Sequence, residues 1–380
     1  MVPLVVVVYE LVYSILYLGL LFSKNTLFNL FPDPSMLQRL AFFFVISSGF
    51  ALPFVLQKLR IVLRTRHYLI TAAILCCTYI YWSHSYYEKK IMNKQFHPFL
   101  QSQPRIQKAA KPKPSGLYRI ICLGGSTTEG KVNFSYPQEL EKMLQTRFPQ
   151  KKIEVINGGH YFYSTQHSII QYLFYLKDLD PDLILFFHSF NDIMYSFTMP
   201  PMSSAPFKTD YGHFYGALSK LRYPILFEDF LSRFFFADII HPAPQAAPFS
   251  DFKSLPIFRR NLETMIKIAQ IEDVDLILSN QAHRLSEKND TPRDLLGHLQ
   301  YFLIDKTHYA NEKTWYTGMG LFNKTTAETA ERFGVPMVDQ VTFFKGKPDL
   351  FIDCIHTNSE GTTKKAKLFF EKIVELELLK

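Results

Sequence analysis

Four short stretches of this chain carry residues whose types and spacing could do chemistry. Residues 121–132 read ICLGGSTTEGKV, an apolar run that ends in two glycines and delivers Ser126; residues 157–162 read NGGHYF, 189–192 read SFND and 353–356 read DCIH. A serine at a tight Gly-Gly turn can act as a nucleophile if a base takes its proton and donors meet the charge that develops on the attacked carbonyl oxygen. His356 is the candidate base. Asp353, three residues earlier in the same loop, can reach the other imidazole nitrogen and fix its tautomer. Asn191 offers a side-chain N–H to an oxyanion, and the backbone amides of Ser126 and of the 159–162 turn, with Gly159 and Phe162 at its ends, offer the others.

The same glycines allow a competing reading. Gly125, four residues, Gly130 and Lys131 come within one residue of a phosphate-binding loop, which wants Ser or Thr where Val132 stands. Such a loop also needs a helix beginning at its lysine, so that backbone N–H groups and the helix dipole face the phosphates. Here KVNFSYPQ intervenes, with a helix start expected near Tyr136, and no aspartate closes the third apolar run to hold magnesium. The residues therefore favour a nucleophile over a phosphate cradle.

The elements that must position these residues follow from the pattern. From Leu117 onward, apolar runs alternate with helical periodicity: LYRIICLGG, KIEVIN, DLILFFHS, VDLILSN and a short VPMVD are separated by helix-like segments, and a last helix begins at about Ser359. Five such runs between helices imply a parallel sheet covered on both faces. Ligands of such sheets bind beyond the carboxyl ends of the strands. GGST follows the first strand, NGGHYF the second and SFND the third, while DCIH follows the last strand, so all four clusters fall on one rim.

With these four blocks in this order, the chain resembles the SGNH, or GDSL-like, hydrolase superfamily over residues 117–379, in a membrane-anchored form with a GGST version of the serine block. The resemblance implies a flavodoxin-like α/β/α sandwich with a five-stranded parallel sheet. It also implies ester or acyl chemistry through Ser126, Asp353 and His356, with no metal and no other cofactor. Three positions depart from the family pattern. Gly125 stands where the name-giving motif has Asp, and Ser189 where the Asn block has Gly. Phe162 replaces the second glycine of its block, whose amide faces the oxyanion, and Phe in a conformation suited to Gly would strain the turn. The expected activity is that of an esterase on an acylated small molecule, lipid or glycan of the cell envelope. Its rivals are an O-acyltransferase with the same triad and an inactive binding or assembly module of the same fold.

Composition sets the wider frame. At 380 residues, 47% hydrophobic and 16% aromatic, the chain can build a large core together with a membrane part. The formal net charge is +8, but the basic residues concentrate at 58–113 beside apolar segments, which favours a membrane surface and excludes a nucleic-acid partner. Segments 2–22, 40–56 and 68–87 are long and apolar enough for three transmembrane helices, the first with Glu10 as its one charge. The expected organisation is a transmembrane region at 1–87, a proline-stiffened linker at 88–114 and a hydrolase domain at 115–380. That domain carries insertions at about 194–254 and 281–317. The aromatic-rich 217–240 stretch of the first either lies on the bilayer or caps the protein, and the second borders the crevice. Lys58, Arg60, Arg64 and Arg66 crowd the loop between the second and third spans, which places that loop in the cytoplasm and the hydrolase domain outside it. Four cysteines suit neither a disulfide scaffold nor a zinc site, and His160, His167 and His188 lack metal spacing and read as packing or rim residues.

Overall fold

The computed structural model describes residues 97, 99–100, 102, 109–131, 134–197, 203, 206–214, 244–288, 290–296, 299–305 and 307–379. The three apolar segments at 2–22, 40–56 and 68–87, and the 217–240 stretch, lie outside the described residues. Among the described residues no helix is long and apolar enough to cross a membrane. The chain divides into two compact units, Met1–Lys94 and Gln95–Lys380.

Five parallel strands form the central sheet: β1 (Leu117–Gly124), β2 (Lys152–Asn157), β3 (Leu183–Phe187), β4 (Asp275–Ser279) and β5 (Met337–Val338). They lie in the order β2-β1-β3-β4-β5. The central strand β3, LILFF, is buried along its whole length, as expected of a parallel strand covered on both faces. Alternation then sorts the side chains. Ile121, Leu123, Ile184 and Phe186 face one layer, while Ile120, Cys122, Leu185 and Phe187 face the other.

Helices α1 (Ser126–Glu129), α2 (Tyr136–Arg147), α3 (Thr165–Gln171), α4 (Phe190–Met194), α5 (Leu255–Ile271), α6 (Glu312–Phe333) and α7 (Ser359–Glu375) connect and cover the strands. α2 and α7 close one face through Leu140, Leu144, Phe369 and Ile373, with the Tyr136 and Phe369 rings stacked at 4.9 Å. α5 and α6 close the other through Phe258, Met265, Trp315 and Phe322. α6 starts earlier than the 281–317 insertion allows, because Asn311 Oδ1 accepts the Thr314 N–H at 2.9 Å and caps it. Trp315 is drawn in with it, stacked on Phe190 at 4.5 Å. The two insertions also meet, as Gln245–Ala247 pairs in parallel with His308–Ala310.

Parts of the stretch expected as a linker lie against the domain. His97, Leu100 and Ser102 are buried, and the chain at 109–113 is tied to the sheet: Arg119 Nη2 donates to the Ala110 carbonyl at 3.2 Å, and Lys113 Nζ reaches Asp182 at 2.9 Å. The stretch reads in sequence as a proline-stiffened linker, and its described residues at 110 and 113 are tied to Arg119 and Asp182.

α7 carries one buried cation into the layer beneath the Ser126 turn. Lys365 is 3% exposed, lies 5.2 Å from the Phe187 ring and sends Nζ to the Thr127 carbonyl at 3.4 Å. Burial pushes its pKa down to about 7. The unfolded chain holds that proton up to about pH 10, so the penalty of burying the amine is fully present below pH 7 and fades as pH rises toward 10. Lys365→Met should therefore stabilise the protein by about 1–2 kcal/mol at pH 7, with the gain shrinking at higher pH. Denaturant unfolding of the two proteins across pH 6–10 checks this.

Candidate active site

β1 ends at Gly124, and Ser126 opens the single turn of α1, whose amides at Thr128 and Glu129 both bond the Gly125 carbonyl at 3.0 Å. Gly130, with φ of 68°, ends that turn in a conformation L-residues rarely adopt. Ser126 is thereby lifted onto the rim beyond the strand ends.

His356 and Asp353 arrive on the loop before α7. The Ile352 N–H bonds the His356 carbonyl at 2.9 Å, closing the loop on itself. Asp353 explains the spacing of its block: Oδ1 accepts the Ile355 and His356 amides at 2.8 and 2.7 Å, while Oδ2 meets His356 Nδ1 at 2.7 Å. One carboxylate thus folds the loop and orients the ring. His356 Nε2 lies 2.8 Å from Ser126 Oγ. With Nδ1–H directed at the carboxylate, Nε2 is left as the acceptor for the serine hydroxyl. Burial works to raise the Asp353 pKa, but the His356 ring bond and charge and the two amides outweigh it, and the carboxyl falls below its usual range. The side chains of His356 and Asp353 remain 31% and 24% exposed, so the pair is open to a ligand.

Asn191 stands on α4, just past β3. Its Nδ2 donates one hydrogen to the Tyr163 carbonyl at 2.7 Å and keeps a second. A Cβ on Gly125 would lie 2.5 Å from that Nδ2, so the glycine leaves room for Asn191 beside Ser126. Ser189, with a φ of −176°, lies outside the left-handed region, and its hydroxyl stands 2.5 Å from the His188 carbonyl and 3.1 Å from Asn323 Oδ1. Gln281 Oε1 accepts the Phe190 N–H at 2.9 Å and fixes the start of α4. Gln281 and Asn323 carry no motif, and nothing in the sequence singles them out.

The 159–162 turn differs from expectation at one position. The Gly159 N–H, expected among the oxyanion donors, is bonded to Asn157 Oδ1 at 2.9 Å. The glycine serves a steric need instead, because a Cβ there would lie 2.4 Å from the Glu129 nitrogen. Phe162 has a φ of 62°, in the left-handed region that favours glycine. Holding a bulky residue there costs about 1–2 kcal/mol, and the turn is braced by the Tyr161 N–H on Glu129 Oε2 at 2.8 Å and the His160 N–H on the Gly124 carbonyl at 3.1 Å.

Asp192, next to Asn191, turns away from the rim. It is fully buried and accepts from the Thr165 amide, the Thr165 hydroxyl and the Tyr211 hydroxyl at 3.1, 2.5 and 3.2 Å. Burial, opposed by these bonds, pushes its pKa up to about 7. His160, His167 and His188 are buried beside Ser102, Ser164 and Ser168 respectively. Burial pulls the pKa of His167 and of His188 down to about 3, so both rings are neutral. Among the described residues no group of three His, Cys, Asp or Glu could hold a metal. A cleft of about 170 Å³ opens beside the Ser126–His356 pair, lined by Glu129, Lys131, Asn358 and Thr362 as well.

No protein-family profile matches this sequence, and no curated protein matches it. Solved structures do. LAE5, an alpha/beta hydrolase enzyme from the metagenome of Lake Arreo, is 14% identical, with a TM-score of 0.41 over 67% of this chain and 94% of its own. Axe2, an acetylxylan esterase from Geobacillus stearothermophilus, is 13% identical, with a TM-score of 0.43 over 67% and 94%. The lipase/acylhydrolase from Enterococcus faecalis is 15% identical, with a TM-score of 0.40 over 68% and 96%. At such distances the functional reading rests on this chain's own side-chain geometry.

Gly125→Ala tests the packing around Ser126. The added methyl must push Asn191 off the Tyr163 carbonyl, and losing a part-buried bond with local crowding should destabilise the protein by about 1–3 kcal/mol. A melting temperature within error of the parent would contradict the close approach described here.

Proposed function

We propose that the chain is a serine esterase that cleaves an ester bond in an acylated small molecule, lipid or glycan through Ser126, His356 and Asp353. One observation carries the reading: Asp353 Oδ2, the two imidazole nitrogens and Ser126 Oγ form a continuous hydrogen-bonded chain, with links of 2.7 and 2.8 Å, ending at a serine beside an open cleft.

In this reading Ser126 Oγ attacks the acyl carbonyl while His356 Nε2 takes its proton. Asp353 keeps Nδ1–H in place and stabilises the imidazolium. The carbonyl oxygen becomes an oxyanion, met by the Ser126 and Phe162 amides and by the second hydrogen of Asn191 Nδ2. The imidazolium returns its proton to the leaving alcohol, which departs and leaves an acyl-serine. Water then repeats the sequence on that intermediate, with His356 again as base, and releases the acid. The proposal includes anchoring by the apolar segments at 2–22, 40–56 and 68–87, with this domain outside the cytoplasm and its substrate in the envelope. That part rests on the sequence patterns.

Short-chain ester hydrolysis by the detergent-solubilised protein is the test. Ser126→Ala and His356→Ala should each lose nearly all activity, and the double variant should lose no more, because the two act as a unit. Asn191→Ala should lower kcat by roughly a hundred- to a thousand-fold with KM little changed, since its contact strengthens only as the oxyanion forms. Full activity in Ser126→Ala would end this mechanism. Free acid as the sole acyl product in the presence of a glycan acceptor separates hydrolysis from transfer.

A further inference from the structure

The segment that leads into the domain is bound to the turn expected to hold the oxyanion. Ser102 is 2% exposed and makes two contacts with that turn. Its hydroxyl shares a hydrogen bond with His160 Nε2 at 2.7 Å, and its carbonyl accepts the Tyr163 hydroxyl at 2.9 Å. Upstream, His97 Nδ1 accepts the Phe99 and Leu100 amides at 3.2 and 3.0 Å, so its Nε2–H is the donor to the Tyr175 hydroxyl at 2.5 Å. Leu100 is buried between these anchor points.

His160 and Tyr163 flank the strained position. Phe162 lies between them with its φ of 62°, and the Tyr163 N–H closes the turn on the His160 carbonyl at 3.1 Å. The Tyr163 carbonyl is also the acceptor that orients Asn191 Nδ2, at 2.7 Å. A strained backbone persists only where its surroundings over-determine it. Within the turn, Tyr161 is held by Glu129 and the His160 amide by Gly124, while the His160 and Tyr163 side chains are both held by Ser102.

We propose that Ser102 is a positioning residue: by clamping His160 and Tyr163 it holds the Phe162 amide and Asn191 where the oxyanion forms. The described residues of 97–102 thus strap the turn, and the rate of the reaction depends on that clasp. The inference rests on the esterase reading for its effect on rate, but not for its effect on the turn. Ser102 acts through other groups and touches no reacting atom.

The experiment compares the full-length detergent-solubilised protein with Ser102→Ala, Ser102→Thr and Tyr163→Phe in amide hydrogen exchange across 158–165 and in ester hydrolysis. Losing one buried hydrogen bond at the turn should speed exchange there and lower kcat roughly tenfold, with KM unchanged. Ser102→Thr, which keeps the hydroxyl, should recover most of the rate. Where Ser102→Ala fails to fold, Tyr163→Phe, which removes one hydroxyl from the same clamp, gives the same readouts. Unchanged exchange in the folded variants overturns the strap whatever the activity. So does faster exchange with unchanged kcat, or a rate loss that Ser102→Thr does not restore. An inactive parent protein instead marks failure of the esterase reading, and the exchange data then judge the clamp separately.

Discussion

Three strand ends meet at this site because two positions carry no side chain. A Cβ on Gly125 would lie 2.5 Å from Asn191 Nδ2, and one on Gly159 would lie 2.4 Å from the Glu129 nitrogen. The first contact brings the end of β3 against the end of β1; the second lays the turn after β2 on α1. Neither distance is compatible with a methyl group, so the spacing of serine, asparagine and turn follows from a side-chain contact at Gly125 and a backbone contact at Gly159. The parallel sheet supplies the coarse alignment, delivering all these loops to one rim, and the empty Cβ positions supply the last few ångströms.

On that scaffold, environment divides like residues between roles. Asp353 and Asp192 both belong to recognisable motifs. Asp353 is half open and bonded to an imidazole and two amides, which holds its carboxyl below the usual range. Asp192 is sealed inside, and burial carries it up to about 7 despite its hydroxyl and amide donors. The first orients the His356 ring, whereas the second joins α4 to the start of α3. The histidines divide in the same way. His167 and His188 are held neutral by burial, and His356 is the ring that stands at the edge of a cleft against both a carboxylate and a serine.

Much of this was legible in the sequence because its signals are local. Continuous apolar runs gave the strands, a serine and proline before Gln138 marked the start of α2 near Tyr136, and the Asp-x-x-His spacing reflects a turn in which one carboxylate bonds its own loop amides. Ser126 follows β1, and Asp353 and His356 lie on the loop before α7, so the sequence placed them on one rim. What escaped prediction depends on partners distant in sequence. The strap reads as part of a proline-stiffened linker, since Ser102 finds His160 58 residues away and His97 finds Tyr175 78 residues away. The Gly159 amide looked available because the pattern does not reveal that Asn157 turns back to take it. α6 was read short because its cap, Asn311, lies inside the stretch assigned to the 281–317 insertion.

The central claim is that Ser126 is a nucleophile made reactive by His356. A fluorophosphonate, which bonds covalently to such serines, followed by mass spectrometry of the detergent-solubilised protein, tests it most directly. The account predicts an adduct on Ser126, absent in Ser126→Ala and formed far more slowly in His356→Ala. A folded protein that takes up no label at Ser126, or that labels equally fast without His356, would contradict it.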